Sequence, residues 1–154
     1  MTGVQTCALP IYGIKTGFNQ AFVIDGATRE ALIAEDARSE ELIKPLAMGR
    51  DIKKWRIADN DRWLIVTPIG VDIDRYPAIY KHLAQWQPEL EARQDQGNHW
   101  WELRACAYYE EFESPKIVFP DIAAEARFAF DDESKYLGNT GYIIPITDYG
   151  SSPV

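Results

Sequence analysis

Apolar positions recur at helical spacing in two stretches of the chain and form short β-type runs elsewhere. In ATREALIAEDARSEELIK (27–44), Ala31, Leu32, Leu42 and Ile43 share a face, and Pro45 is expected to stop the helix. In DRYPAIYKHLAQWQPELEARQ (74–94), Pro77 suits a first turn, and Ile79, Leu83, Trp86 and Leu90 mark one face. Pro88 is expected to kink that helix, and DQGN to break it. Strands are expected at 22–24, ended by Asp25-Gly26, and at 55–58 and 63–67, joined by the turn DND. Further strands are expected at WWEL, KIVFPDI, RFAFD and, after the loop DESKYLGNTG, at YIIPI. Helices and strands are interspersed without strict βαβ alternation. This predicts an α+β fold with mixed or antiparallel sheets and two main helices.

The 154 residues suit one domain, and 46% hydrophobic content is enough for a core. No run approaches the roughly 18 apolar residues of a membrane span. The opening MTGVQTCALPI (1–11) is uncharged and lacks a basic n-region and an apolar stretch, so it is not a targeting peptide. It looks like the in-frame translation of a short-read sequencing adapter and is set aside as non-native, leaving 12–154 as the domain. Cys106 is then the only cysteine. One thiol makes neither an internal disulfide nor a zinc site, and a reducing cytoplasm is the expected location. The net charge of −8 argues against a nucleic-acid binder unless a local basic face offsets it.

The chain has no glycine-rich phosphate loop, G-x-G-x-x-G, H-E-x-x-H or G-x-S-x-G. His82, between Lys81 and Gln85, is expected at a solvated helix position. Pro120-Asp121 followed by Glu133-Ser134-Lys135 matches the P-D…(D/E)-x-K pattern of metal-dependent nucleases. In that chemistry two carboxylates hold Mg²⁺ and the Lys orients or activates water. A nuclease site at Asp121, Glu133 and Lys135 is therefore one alternative, and a solvated turn at DDESK is the other. A second constellation, KPLAMGRDIKKWR, places Lys44, Arg50, Lys53, Lys54 and Arg56 around a Gly and beside Trp55. Arg and Lys beside a tight turn suit phosphate contact, and Arg can fork onto guanine. The loop GIKTGFN adds Lys15, Thr16 and Asn19, hydrogen-bonding types for phosphates or base edges. A solvated basic turn is the alternative reading. Trp100 and Trp101, adjacent on an expected strand, should point to opposite faces and pack in a core or interface.

Several stretches together resemble one family. YGIKTGFNQAFVID, LIKPLAMGRDIKKW, DRWLIVTPIGVDIDRYPAIYKHL, YYEEFESPKIVFPDIA and YLGNTGYIIP are similar to the TaqI-like C-terminal specificity domain over about residues 12–145. This is the target-recognition part of type II restriction–modification enzymes that fuse nuclease, adenine methyltransferase and recognition regions. The resemblance implies a module that binds duplex DNA and selects its sequence without catalysing a reaction. The parent is expected to be a site-specific adenine DNA methyltransferase with endonuclease activity. Its S-adenosylmethionine and Mg²⁺ would be held by other regions of the same polypeptide, and the target adenine flipped out for methylation. The N-P-P-Y motif of such a methyltransferase is missing, and there is no Pro-Pro pair. Ala47-Met48 stands where relatives carry a longer side chain and an Arg before the Gly, removing a potential phosphate contact. The family continues beyond the YIIP strand, so the domain is expected to be C-terminally incomplete. On this reading Lys15, Thr16, Asn19, Arg50, Lys53, Lys54 and Arg56 are the expected DNA-facing residues.

Overall fold

The structure, a computed structural model, describes residues 10–106, 108–123 and 125–146. Most of the stretch read as adapter-derived, residues 1–9, lies outside the described residues. In chain order the elements are β1 (Ile11–Tyr12), α1 (Asn19–Phe22), β2 (Val23–Ile24), α2 (Gly26–Glu35), a 3₁₀ turn (Ala37–Leu42), β3 (Ile43–Ala47) and a 3₁₀ turn (Gly49–Asp51). Then come β4 (Ile52–Lys53), β5 (Arg56–Ile57), β6 (Trp63–Ile65), a 3₁₀ turn (Ile73–Arg75), α3 (Pro77–Ala84) and α4 (Gln87–Ala92). The last are α5 (Tyr109–Glu113), β7 (Lys116–Pro120), β8 (Ala129–Asp131), β9 (Tyr136–Leu137) and β10 (Gly141–Pro145). The fold is α+β with antiparallel strand pairing, as the interspersed pattern predicts. Backbone contacts divide the chain into two compact units. One draws on the described residues of Met1–Ile14, Ala47–Asn60 and Ala107–Val154, the other on Lys15–Leu46 and Asp61–Cys106.

The first unit is built on an antiparallel sheet in the order β1-β10-β7-β8. Alternation along the strands sets its two faces. The register aligns Ile143 with Val118, and Val118 with Ala129, and all three are buried. Each of the two larger side chains contributes about 1.5–3 kcal/mol by leaving water. On the other face Tyr12, Tyr142 and Phe119 form a cross-strand row, with ring centroids 4.9 and 5.4 Å apart. Lys116 and Asp131 lie opposite each other across β7 and β8, both buried, and the ammonium donates to the carboxylate and to the Phe112 carbonyl. Burial pushes the Lys116 pKa down, and Asp131 offsets part of that shift. Gly13 is required where β1 ends: a Cβ there would lie 1.8 Å from the Gly138 carbonyl oxygen.

The second unit contains the antiparallel strands β2-β6-β3, with Leu64 and Ile65 of β6 fully buried. The helix expected over 27–44 ends at Glu35. Asp25 caps its start by accepting from the Thr28 N–H at 2.8 Å. Asp36 then accepts from the Arg38 N–H at 3.0 Å and starts a 3₁₀ turn instead. A short acidic side chain that bonds its local backbone competes with helix propagation, and here it outweighs the apolar spacing. Pro45 consequently lies within a strand, opposite Trp63. The long helix over 74–94 is also two helices, separated at 85–86, and Pro88 sits in the first turn of α4, where proline is tolerated.

His82 is not a solvated helix residue. It is buried, with Nε2 donating to the Ala21 carbonyl at 3.0 Å and its ring edge-on to Trp86. It ties α3 to α1. Nor is WWEL a strand. Its backbone is held by side chains in a loop. The buried Glu102 carboxylate accepts from the N–H groups of Gly70, Asn98 and His99, and the Thr67 hydroxyl donates to the Trp101 carbonyl at 2.6 Å. Trp100 and Trp101 meet edge to face, both half-buried.

Burial lowers the His82 pKa, despite the Ala21 hydrogen bond acting in the other direction. The unfolded chain therefore takes up a proton first as pH falls. The associated stability is complete above the ordinary histidine value of about 6.5 and declines as pH drops through it. The unfolding free energy read from urea titrations should fall between about pH 7.5 and 5.5, by at most about 1.4 kcal/mol per pH unit, and His82→Gln should flatten that decline.

Candidate nucleic-acid interface

The basic stretch around Trp55 forms a short, anchored hairpin in the first unit. Asp51, 7% exposed, accepts from the Met48 N–H and from the Asn60 amide, each at 2.8 Å. Its own carbonyl takes the Ala58 N–H at 2.7 Å, and the Gly49 N–H reaches the Thr140 hydroxyl at 2.7 Å. The chain is thus tied both before and after the hairpin. Within it Ile52 pairs with Ile57 and Lys53 with Arg56, and Lys54-Trp55 is the turn. Ile52 is fully buried. The strand expected over 55–58 is shorter because Trp55 adopts a left-handed φ of 73° and ends the pairing.

Arg50, Lys53, Lys54 and Arg56 are all exposed. None forms an ion pair with an acidic side chain among the described residues. Lys53 and Arg56 sit directly across the ladder, an arrangement of like charges that opposes strand pairing. Lys44, grouped with them in the sequence, lies half-buried on β3 opposite Leu64 in the second unit.

The loop holding Lys15, Thr16 and Asn19 belongs to the second unit and is organised by Arg93. This guanidinium donates to the carbonyls of Thr16 (2.5 Å), Asp95 (2.6 Å), Trp100 (2.8 Å), Glu102 (2.5 Å) and Leu90 (3.3 Å). It also lies over the Phe22 ring, 4.8 Å from the centroid. Burial pushes its pKa down to about 10, with Asp95 acting in the opposite direction, so it stays charged at neutral pH. Gly17, at φ 78°, lets the loop pass Asp95, whose Cβ would lie 3.1 Å from a side chain there. Thr16 is buried; its hydroxyl donates to Asn19 Oδ1 and accepts from the Phe18 N–H. Thr16 therefore shapes the loop and offers no surface. Lys15 is exposed and pairs with Asp95 at 3.4 Å, while Asn19 is exposed at the start of α1. Nothing in the spacing of the sequence marked Arg93; a lone Arg after a helical run carries no such signal.

The nuclease alternative fails on geometry. Asp121 follows the last residue of β7, whereas Glu133 and Lys135 follow Asp131, which pairs with the first residue of β7. A five-residue strand, about 16 Å long, separates them. Glu133 stands on an exposed turn, as the DDESK alternative has it, and its ion pair is with Lys135 at 3.7 Å. Asp131, the last residue of β8, is buried rather than solvated, and is taken by Lys116 and by the N–H groups of Glu133 and Lys135.

Residues 44–153 match the model of the TaqI-like C-terminal specificity domain. The chain belongs to this family. A relative is the type II methyltransferase M.BanIII of Aneurinibacillus aneurinilyticus, 27% identical over 152 residues, covering 90% of this chain and 26% of that protein. The fold is also similar to that of the type IIL restriction–modification enzyme MmeI, solved in complex with DNA. The TM-score is 0.71 at 15% identity, over 93% of this chain and 20% of MmeI. This specificity domain thus spans about a quarter of the one relative's length and a fifth of the other's.

Removing the Asp51 carboxylate strands a backbone N–H and an amide inside the protein. Asp51→Ala should cost about 2–4 kcal/mol in urea unfolding. Asp121→Ala, at an exposed strand end, should stay within about 0.5 kcal/mol of the parent chain.

Proposed function

We propose that this chain is the duplex-DNA target-recognition module of a restriction–modification adenine methyltransferase and catalyses nothing by itself. The observation that carries the reading is the anchored hairpin with exposed Arg50, Lys53, Lys54 and Arg56, none of them ion-paired among the described residues, in a chain of net charge −8. An acidic protein gains nothing for its fold from like charges set side by side on a narrow ribbon. Phosphates would relieve that repulsion. Other cations are taken by acidic partners: Arg29 pairs with Glu40, Lys81 with Glu35, and Lys15 with Asp95. Family membership and the DNA-bound structural neighbour support the same reading.

Each exposed cation of the hairpin contacts backbone phosphate, and Arg50 and Arg56 are also able to fork onto guanine in the major groove. Lys15 and Asn19 supply a second set of contacts, Lys15 by exchanging its exposed Asp95 partner, a pair worth well under about 1 kcal/mol, for phosphate. Thr16 acts only by holding the loop. In the complete enzyme other regions of the polypeptide hold S-adenosylmethionine, flip the adenine and, where the enzyme cuts, bind Mg²⁺. The expected setting is the prokaryotic cytoplasm. Among the described residues no helix is long and apolar enough to cross a membrane.

Anisotropy titrations of a randomised duplex of roughly 30 bp, repeated across salt concentrations, test the reading. Lys53→Ala/Lys54→Ala should weaken binding on all sequences and reduce the magnitude of the log Kd–log salt slope by about 1.8, near 0.9 per lost phosphate contact. Unchanged affinity and slope would remove both lysines from the interface.

A further inference from the structure

Trp55 is the least expected residue of the hairpin. It occupies the second position of a two-residue turn at φ 73°, a conformation that glycine or asparagine adopts readily and a bulky side chain resists. Such strain persists where surrounding structure enforces it, and it concentrates at functional sites. Packing does not repay it here, because Trp55 is 74% exposed. The backbone nevertheless holds the residue firmly: its N–H donates to the Phe128 carbonyl at 2.7 Å. The Lys54 ammonium lies 6.0 Å from the indole centroid, and Lys53 and Arg56 flank the turn. A large flat ring is thus fixed at the tip of a two-stranded ribbon, surrounded by cations.

We propose that Trp55 inserts into duplex DNA and stacks on a base at a locally unstacked step, while the neighbouring cations hold the phosphates. This inference rests on the reading of the chain as a DNA-recognition module. A two-stranded ribbon fits the major groove, and Trp offers a rigid π surface that any base accepts. Stacking is insensitive to sequence, so Trp55 supplies affinity and local opening and leaves base reading to hydrogen-bonding side chains. Its preferred substrate is DNA in which a base is already easy to displace, since insertion of a wedge must overcome the stacking of that step.

The test compares the 154-residue chain with Trp55→Gly and Trp55→Phe on a randomised duplex and on the same duplex carrying one central mismatch. The parent chain should prefer the mismatched duplex, and its tryptophan fluorescence should be quenched on binding. Trp55→Gly should bind about five- to a hundredfold more weakly, lose the mismatch preference and the quench, and keep the salt slope of the parent. It should also raise the urea midpoint, because glycine relieves the turn, which separates weakened binding from misfolding. Trp55→Phe should retain part of the affinity and of the mismatch preference. If Trp55→Gly binds as tightly as the parent with the same quench, or lowers the urea midpoint, the inference is overturned and the DNA reading stands. If the parent chain binds neither duplex, both are overturned.

Discussion

The guanidinium of Arg93 shows most plainly what this protein depends on. Its strands run from two to five residues, so long stretches of backbone enter the interior without a ladder to satisfy them. Buried carbonyl and N–H groups must then find other partners, because an unpaired one costs about 1–3 kcal/mol. Arg93 supplies donors to five carbonyls drawn from the 13–19 loop, from the end of α4 and from the 95–102 loop. Glu102 does the complementary work, accepting three N–H groups in the same unit. Asp51 holds the feet of the basic hairpin by the same means. Each ion is desolvated, and each recovers that cost only because several hydrogen bonds converge on it.

This division of labour explains where the exposed charge lies. Charged side chains that build the fold are buried and saturated with partners: Arg93, Glu102, Asp51 and the Lys116–Asp131 pair. Those on the hairpin are exposed, and their backbone is held by others. A recognition surface needs that combination, a rigid frame with charges left over for a ligand. The left-handed Trp55 belongs to the same economy, a local cost retained on a frame stiff enough to impose it.

Much of the architecture was legible in the sequence. The β-branched and aromatic runs located β7 and β10 to within two residues, and the apolar periodicity of Ile79, Leu83 and Leu90 marked residues that are fully buried. The exposure of Arg50, Lys53, Lys54 and Arg56 followed from a dense basic run around a glycine. Other features were not legible, for physical reasons. Asp36 stops α2 by accepting the Arg38 N–H, a choice that apolar spacing does not register. WWEL has strand composition, yet its backbone is claimed by Arg93 and Thr67 from distant positions. Thr16 reads as a ligand-binding hydroxyl and is consumed within its own loop. In the first two cases a side chain outcompeted the regular element for backbone hydrogen bonds. Motif spacing failed similarly at Asp121 and Glu133, because the eleven intervening residues place them toward opposite ends of one strand rather than side by side.

The central claim is that DNA meets this protein at the hairpin of the first unit. Amide hydrogen exchange with and without an excess of duplex DNA tests it directly, since it reports every contacted segment without any substitution. The account predicts added protection across residues 50–57, with a smaller gain in the loop around Lys15 and Asn19, and none in α2 or the acidic turn over 37–42. Protection confined to that acidic segment, or an exchange pattern identical with and without DNA, would contradict it.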